Sequence, residues 1–136
     1  MIKKIDHIAI ASDDIDAAQE LFNRLLGIDI SDRETVDDQK IRTDIYSLGE
    51  SHIEVMEPTA GDSPISKFLE KRGEGIHHLC FEVENIEAML ADLQSSGIQL
   101  IDEKPRIGAG GKKIAFLHPK STHGVLIELS EPSNES

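Results

Sequence analysis

The sequence predicts an α+β fold built from two tandem βαβββ modules whose curved sheets enclose a shared metal-binding cleft. Three observations carry that expectation. Short apolar stretches alternate with polar residues at strand period, two segments repeat apolar residues at helical period, and the second half repeats the first in the same order. A chain of 136 residues suits one domain, expected over 1–136 with internal modules at about 3–60 and 74–132. At that length roughly two-thirds of the unfolded surface can be buried.

Residues 3–11 alternate as a half-buried strand, with Ile8 and Ile10 on one face and His7, Ala9 and Ala11 on the other. A helix follows. Asp13 or Asp14 can cap it, and Ile15, Ala18, Leu21, Phe22 and Leu25 recur at helical spacing until Gly27 stops it. Strands then fit at about 28–35, 40–48 and 51–57, with a turn at Gly49-Glu50 and a stop at Pro58. A connector with a short helix at about 64–72 leads to a strand at 76–84, a helix at 86–96 ended by Gly97, and strands at about 98–102, 113–118 and 124–130.

The duplication can be checked residue by residue. A shift of 71 lays Ile5-Asp6-His7-Ile8 on Ile76-His77-His78-Leu79 and Ile15 on Ile86. With one residue fewer in the second helix, Gly27-Ile28 falls on Gly97-Ile98. A shift of 74 then lays Ile53-Glu54-Val55-Met56-Glu57-Pro58 on Ile127-Glu128-Leu129-Ser130-Glu131-Pro132. The period is far longer than that of a solenoid, so one module has been duplicated within a domain.

Composition narrows the function classes. Fourteen basic against 26 acidic residues give a formal charge of −12, which repels a phosphate backbone and argues against nucleic acid. No stretch approaches the 18 apolar residues of a membrane span. The opening Met1-Ile2-Lys3-Lys4 offers no signal-peptide core, and the single Cys80 fits a reducing compartment, so the cytoplasm is expected. Charge is unevenly spread: Lys104 to Ile127 contains no Asp or Glu but holds Lys104, Arg106, Lys112, Lys113 and Lys120. That segment is either a solvated hairpin or a local phosphate site.

Alternation gives the matched polar residues a common direction. His7 opposes Ile8 and Ile10, and His78 opposes Leu79, Phe81 and Val83. Glu54 sits between Ile53 and Val55, and Glu128 between Ile127 and Leu129. With the apolar faces under the helices, all four polar groups share the other face. Buried carboxylates and imidazoles need a compensating charge, and a divalent ion such as Co, Mn, Ni, Fe or Zn supplies it. His7, Glu54, His78 and Glu128 are therefore the expected metal ligands, and four protein ligands leave open positions on an octahedral ion. Any one of them alone would more commonly be a core histidine or half of a salt bridge, but the same pair recurs at equivalent positions. His77 shares the parity of Leu79 and is set aside; His52, His118 and His123 lack repeat partners and are expected on the surface or in loops. Cys80 is expected as a small buried thiol.

These residues resemble the vicinal oxygen chelate superfamily and, within it, the methylmalonyl-CoA epimerases. The resemblance runs from Ile5 to about Glu131. It is carried by Ile5-Asp6-His7, by Gly73-Glu74-Gly75-Ile76-His77-His78, and by the segment from Pro105 through Gly108, Gly110, Gly111 and Lys112 to Pro119-Lys120-Ser121 and Gly124-Val125-Leu126-Ile127-Glu128. It implies a divalent metal at His7, Glu54, His78 and Glu128 and epimerisation of methylmalonyl-CoA at C2. Some members carry a glutamine at the position of Glu54, and some carry a basic glutamate on the third strand, where this chain has Thr43 with Asp44 beside it. Glu128 then serves as ligand and one acid/base, with the second open between Asp44, Glu54 and a bound water. The CoA phosphates would meet Lys112, Lys113 or Lys120, with Gly110 and Gly111 allowing close backbone approach. A homodimer is the assembly that the fold suggests. A glyoxalase I-type lyase and a non-catalytic small-molecule binder of the same fold are the alternatives.

Overall fold

The structure is a computed structural model and describes residues 1–133. It is α+β, and the chain divides into two compact units, one comprising His7–His77 and the other Met1–Asp6 with the chain from His78 onward. Among the described residues no helix is long and apolar enough to cross a membrane.

In the first module, β1 (Ile2–Ala11) leads through a helix to β2 (Ile30–Val36), β3 (Ile41–Leu48) and β4 (Ser51–Pro58). The strand order is β2-β3-β4-β1, with β4 returning parallel to β1 and antiparallel to β3. Parallel neighbours need a crossover, and the helix supplies it. This helix, α1, begins at Ile15–Gln19 with Asp14 as its N-cap, accepting from the Ala17 amide at 3.1 Å. It continues as a π-helical stretch over Glu20–Leu25, in which the Leu26 amide reaches back to the Leu21 carbonyl at 2.9 Å. The sequence predicts a plain helix here. The repeat explains the difference, because this helix holds one residue more than its counterpart before the matching glycine, and a π turn absorbs a single inserted residue without breaking the helix. Ile15, Ala18 and Phe22 pack on Ile10, Tyr46, Val55 and Ile53, while Leu21 and Leu25 are left exposed.

The connector helix α2 (Pro64–Arg72) is capped by Ser63 and starts on a proline, which is pre-organised for the first turn. Its Ile65, Phe68 and Leu69 pack on Ala9, Ala11, Ile41 and Met56. It thus covers part of the β1–β4 face opposite α1.

The second module repeats the plan with β5 (Gly75–Val83), α3 (Ile86–Ser95), β6 (Arg106–Ile107), β7 (Lys113–Leu117) and β8 (Ile127–Glu131), in the order β5-β8-β7-β6. Its core gathers Val83, Ile86, Leu90, Ala115, Leu117 and Leu129. Two expected strands differ. Segment 98–102 makes only an isolated bridge, Leu100 to Leu117, because the Asp102 carboxylate takes the Phe116 amide at 2.9 Å and so replaces a strand carbonyl. The last strand begins at Ile127 rather than 124, because Gly124 closes a turn onto the Pro119 carbonyl.

The modules share a helix-capping device that follows from the repeat. The Ile15 amide donates to Glu57 at 3.2 Å, and the matched Ile86 amide donates to Glu131 at 3.0 Å. Each of these glutamates is flanked by a cation at the equivalent strand position: Arg42 at 3.7 Å from Glu57 and Lys113 at 3.9 Å from Glu131. Losing such an acceptor leaves a helix-start amide unsatisfied. Glu131→Ala is therefore expected to lower stability by about 1–2 kcal/mol, measured by urea denaturation; an unchanged midpoint would contradict this role.

Candidate functional site

In each module the last strand lies parallel to the first in one register. Ile8 faces Ile53, Ala9 faces Glu54 and Ile10 faces Val55; in the second module Leu79 faces Ile127, Cys80 faces Glu128 and Phe81 faces Leu129. Because side chains alternate, Ile10 and Val55 go beneath α1, and Phe81 and Leu129 beneath α3. His7 and Glu54 take the opposite face of the first module, and His78 and Glu128 that of the second.

The pairs close within each module. His7 Nδ1 lies 3.1 Å from Glu54 Oε2, with the imidazole side chain 9% exposed. His78 Nε2 lies 3.0 Å from Glu128 Oε1, with both side chains exposed by less than a tenth. The His78 ring stands edge-on to Phe116 at 5.5 Å, and Cys80, fully buried, places its Sγ 3.5 Å from Ser130 Oγ.

His52 departs from expectation. Without a repeat partner it is expected at the surface, yet its ring stacks on His7 with centroids 5.1 Å apart, and its Nε2 lies 2.9 Å from Glu54 Oε2. His7, His52 and Glu54 offer three ligand atoms within 4.8 Å of one another. The missed signal is the spacing of two between His52 and Glu54, which places both on one strand face. His118 and His123 do behave as loop residues: His118 accepts the Lys120 amide at 3.1 Å, and His123 has a positive φ. His77 is in edge contact with Phe68 of α2.

Asp44 does not share the Glu54 face. The β3–β4 register sets Ile45 opposite Glu54 and Thr43 opposite Met56, so Asp44 falls opposite Val55 on the α1 side. There it is almost wholly buried and paired with Arg33 Nε at 3.1 Å. Its repeat counterpart is Ala115, a core residue. A catalytic role for Asp44 is therefore set aside.

The basic segment divides by the same alternation. Lys113 shares the face of Ala115 and Leu117 and binds Glu87 of α3 at 2.9 Å, an interaction that raises its pKa. As the counterpart of Arg42, Lys113 serves the helix cap. Its expected place among the CoA contacts is corrected accordingly. Lys112 falls on the other face and reaches the buried Asp6 at 3.6 Å. Gly110 and Gly111 take φ of 72° and 77°, a region that favours glycine, so the turn before Lys112 depends on both. Lys120 is exposed in the turn that follows β7.

A cavity of about 530 Å³ opens on the α1 side of the first module, between Ile10, Phe22, Ser12 and Glu74. Its Glu74 accepts from the Ser12 hydroxyl and the Asp13 amide, at 3.0 and 3.1 Å. It lies across the strands from His7 and Glu54.

A family model described as the glyoxalase/bleomycin resistance protein/dioxygenase superfamily matches residues 6–116. The chain is 38% identical to an ethylmalonyl-CoA/methylmalonyl-CoA epimerase of Cereibacter sphaeroides, with 96% of this chain and 99% of that one covered. The crystal structure of methylmalonyl-CoA epimerase from Mycobacterium tuberculosis matches with a TM-score of 0.91 at 39% identity, over 98% of this chain and 91% of that one. A methylmalonyl-CoA epimerase in complex with methylmalonyl-CoA and NH4+ matches with a TM-score of 0.90 at 36% identity, over 98% and 97%.

Burial pushes the Asp44 carboxyl above its ordinary value, against the pull of Arg33. The folded chain then holds that proton more tightly than the unfolded chain. Asp44's contribution to stability is full below the ordinary value of 3.8 and is lost as pH rises through the folded value. Asp44→Asn, neutral throughout, is expected to lose less stability than the parent as pH rises above the ordinary carboxyl value of 3.8. Urea titrations at stepped pH would show it, and identical pH profiles would exclude it.

Proposed function

Because the chain belongs to the glyoxalase/bleomycin resistance protein/dioxygenase superfamily, we propose that it is a metal-dependent isomerase interconverting (R)- and (S)-methylmalonyl-CoA by proton transfer at C2. One observation carries the reading. Each module holds an imidazole nitrogen about 3 Å from a carboxylate oxygen at repeat-equivalent strand positions, in a chain whose relatives are epimerases of this substrate.

The donor chemistry fits a first-row divalent ion, for which imidazole nitrogen and carboxylate oxygen are suitable ligands, while Co, Mn, Ni, Fe and Zn all remain compatible. In this reading His7, Glu54, His78 and Glu128 hold one ion, a pair from each module, and the two modules work as a single domain. When bound, the ion supplies Lewis acidity toward the substrate's thioester oxygen.

Inverting C2 requires removing a proton from between a thioester and a carboxylate and returning one to the opposite face. Glu128 takes or delivers the proton on one face. With Asp44 set aside, Glu54 is the side chain assigned to the other. A positioned base contributes about 10²–10⁴-fold, or about 3–5 kcal/mol, against barriers lowered by about 8–23 kcal/mol in enzymes generally. The remainder falls to orientation and to charge stabilisation at the developing enolate oxygen. For the CoA phosphates, Lys112 and Lys120 are the assigned cations, with Gly110 and Gly111 giving the backbone close access. A cytoplasmic setting suits the single buried thiol, and a homodimer is the assembly assigned to it.

A glyoxalase-type lyase would use similar ligands on a glutathione hemithioacetal, but the relatives' names favour the epimerase. A non-catalytic binder would have no use for two His–carboxylate pairs at repeat-equivalent positions. In D2O the protein is expected to exchange the C2 proton of methylmalonyl-CoA, to stop after chelation, and to resume when Co2+ is added. Absence of exchange, with turnover of methylglyoxal plus glutathione, would overturn the assignment. Glu128→Gln is expected to slow epimerisation by about 10²–10⁴-fold with metal still bound; a near-normal rate would remove Glu128 as a base.

A further inference from the structure

We propose that Phe116 determines which C2 substituent the protein accepts, its ring forming a wall beside the His78–Glu128 pair. The inference rests on the epimerase reading above and deepens it: that reading assigns the proton transfer, and this one assigns the residue that measures the group carried by C2.

Strand β7 sends Ala115 and Leu117 into the core of the second module, so alternation turns Phe116 to the opposite face, where it is half-buried. There the antiparallel register sets it directly opposite Glu128. Its ring stands edge-on to His78, with centroids 5.5 Å apart and planes at 81°. Directly opposed residues carry Cβ atoms about 4.5–5.5 Å apart. A base works within about 2.6–3.2 Å of the group that it deprotonates. A substrate whose C2 proton meets Glu128 therefore brings its C2 substituent against this ring.

The ring is held so that it cannot yield easily. The Asp102 carboxylate accepts the Phe116 amide at 2.9 Å, and the Phe116 carbonyl accepts the Ile101 amide at 2.9 Å. The other Asp102 oxygen lies 3.3 Å from Arg106 Nε. The Arg106 guanidinium in turn lies over the Phe116 ring, 5.6 Å from its centroid. Register explains that reach: Arg106 pairs with Ile114, so Phe116 is its diagonal neighbour, within range of a long side chain. A cation on the ring face and a T-shaped contact with His78 both suit the ring's quadrupole. Asp102, which replaces a strand hydrogen bond in segment 98–102, thereby fixes both Phe116 and the cation above it. A wall discriminates by size only when its supports are fixed in this way.

The shift of 71 lays Phe116 on Ile45, which stands opposite Glu54 in the first module. The modules share an apolar residue opposite the carboxylate and differ in its bulk. The aromatic ring, with its Asp102 and Arg106 supports, belongs to the second.

The test measures kcat/KM with methylmalonyl-CoA and with ethylmalonyl-CoA, which is one methylene longer at C2, in the wild type, Phe116→Leu and Phe116→Trp. One methylene in an apolar pocket changes kcat/KM by about 10–200-fold. Phe116→Leu is expected to raise the ethyl-to-methyl ratio by at least about tenfold, and Phe116→Trp to lower it. Both substrates report on the same folded molecules, so a loss of stability cancels from the ratio. An unchanged ratio in both variants, with the wild type active on methylmalonyl-CoA, overturns the role of Phe116 and leaves the epimerase reading intact. If the wild type epimerises neither thioester, that reading and this inference fall together.

Discussion

The parallel pairing of the first and last strands of each module decides where every polar group goes. β1 on β4 and β5 on β8 run in the same register, and strand alternation leaves each side chain only two directions. A slip of one residue would turn Glu54 and Glu128 under the helices and bring Val55 and Leu129 onto the other face. The apolar residues resist that slip because they form the contacts with α1 and α3. Core packing thus holds the chemical groups in place, although none of those groups belongs to the core.

Most of this arrangement is legible in the sequence because the chain states its plan twice. His7 and Glu54 stand out once His78 and Glu128 are laid on them, and α2 over Pro64–Arg72 agrees with the expected 64–72 because a serine cap and an N1 proline mark its start. The repeat also holds information that alternation within a single strand does not reveal. The shift of 71 that aligns the histidines also aligns Arg42 with Lys113 and Asp44 with Ala115. Those two pairs already point Lys113 toward the helix cap and Asp44 toward the core side.

What the sequence hides has identifiable physical causes. His52 lacks a counterpart, and comparison of the repeats detects only what both modules retain. The loss of strand 98–102 depends on a side chain, Asp102, taking a hydrogen bond that strand patterning assigns to backbone. Periodicity over 15–25 does not distinguish an α turn from a π turn, since the outer leucines of the pattern, Leu21 and Leu25, are not held by the core. That inserted residue stands out only against the shorter second helix.

Duplication gives two equal halves, and the differences between them show where the modules have specialised. The first module has His52 stacked on His7 and cover from α2, which packs over the face carrying Ala9, Ala11 and Met56. The second has lost much of a strand, and its Gly110-Gly111 turn, the counterpart of the turn at Asp37–Gln39, leads to Lys112, a cation held by Asp6. Ligands for a small cation need short, rigid strands, because an error of even a fraction of an ångström changes coordination. Contacts with phosphates tolerate a looser, glycine-rich backbone, because charge acts over a longer range than a metal bond. The two copies have thus diverged in their turns and in the cover over their strands while both keep the His–carboxylate pair.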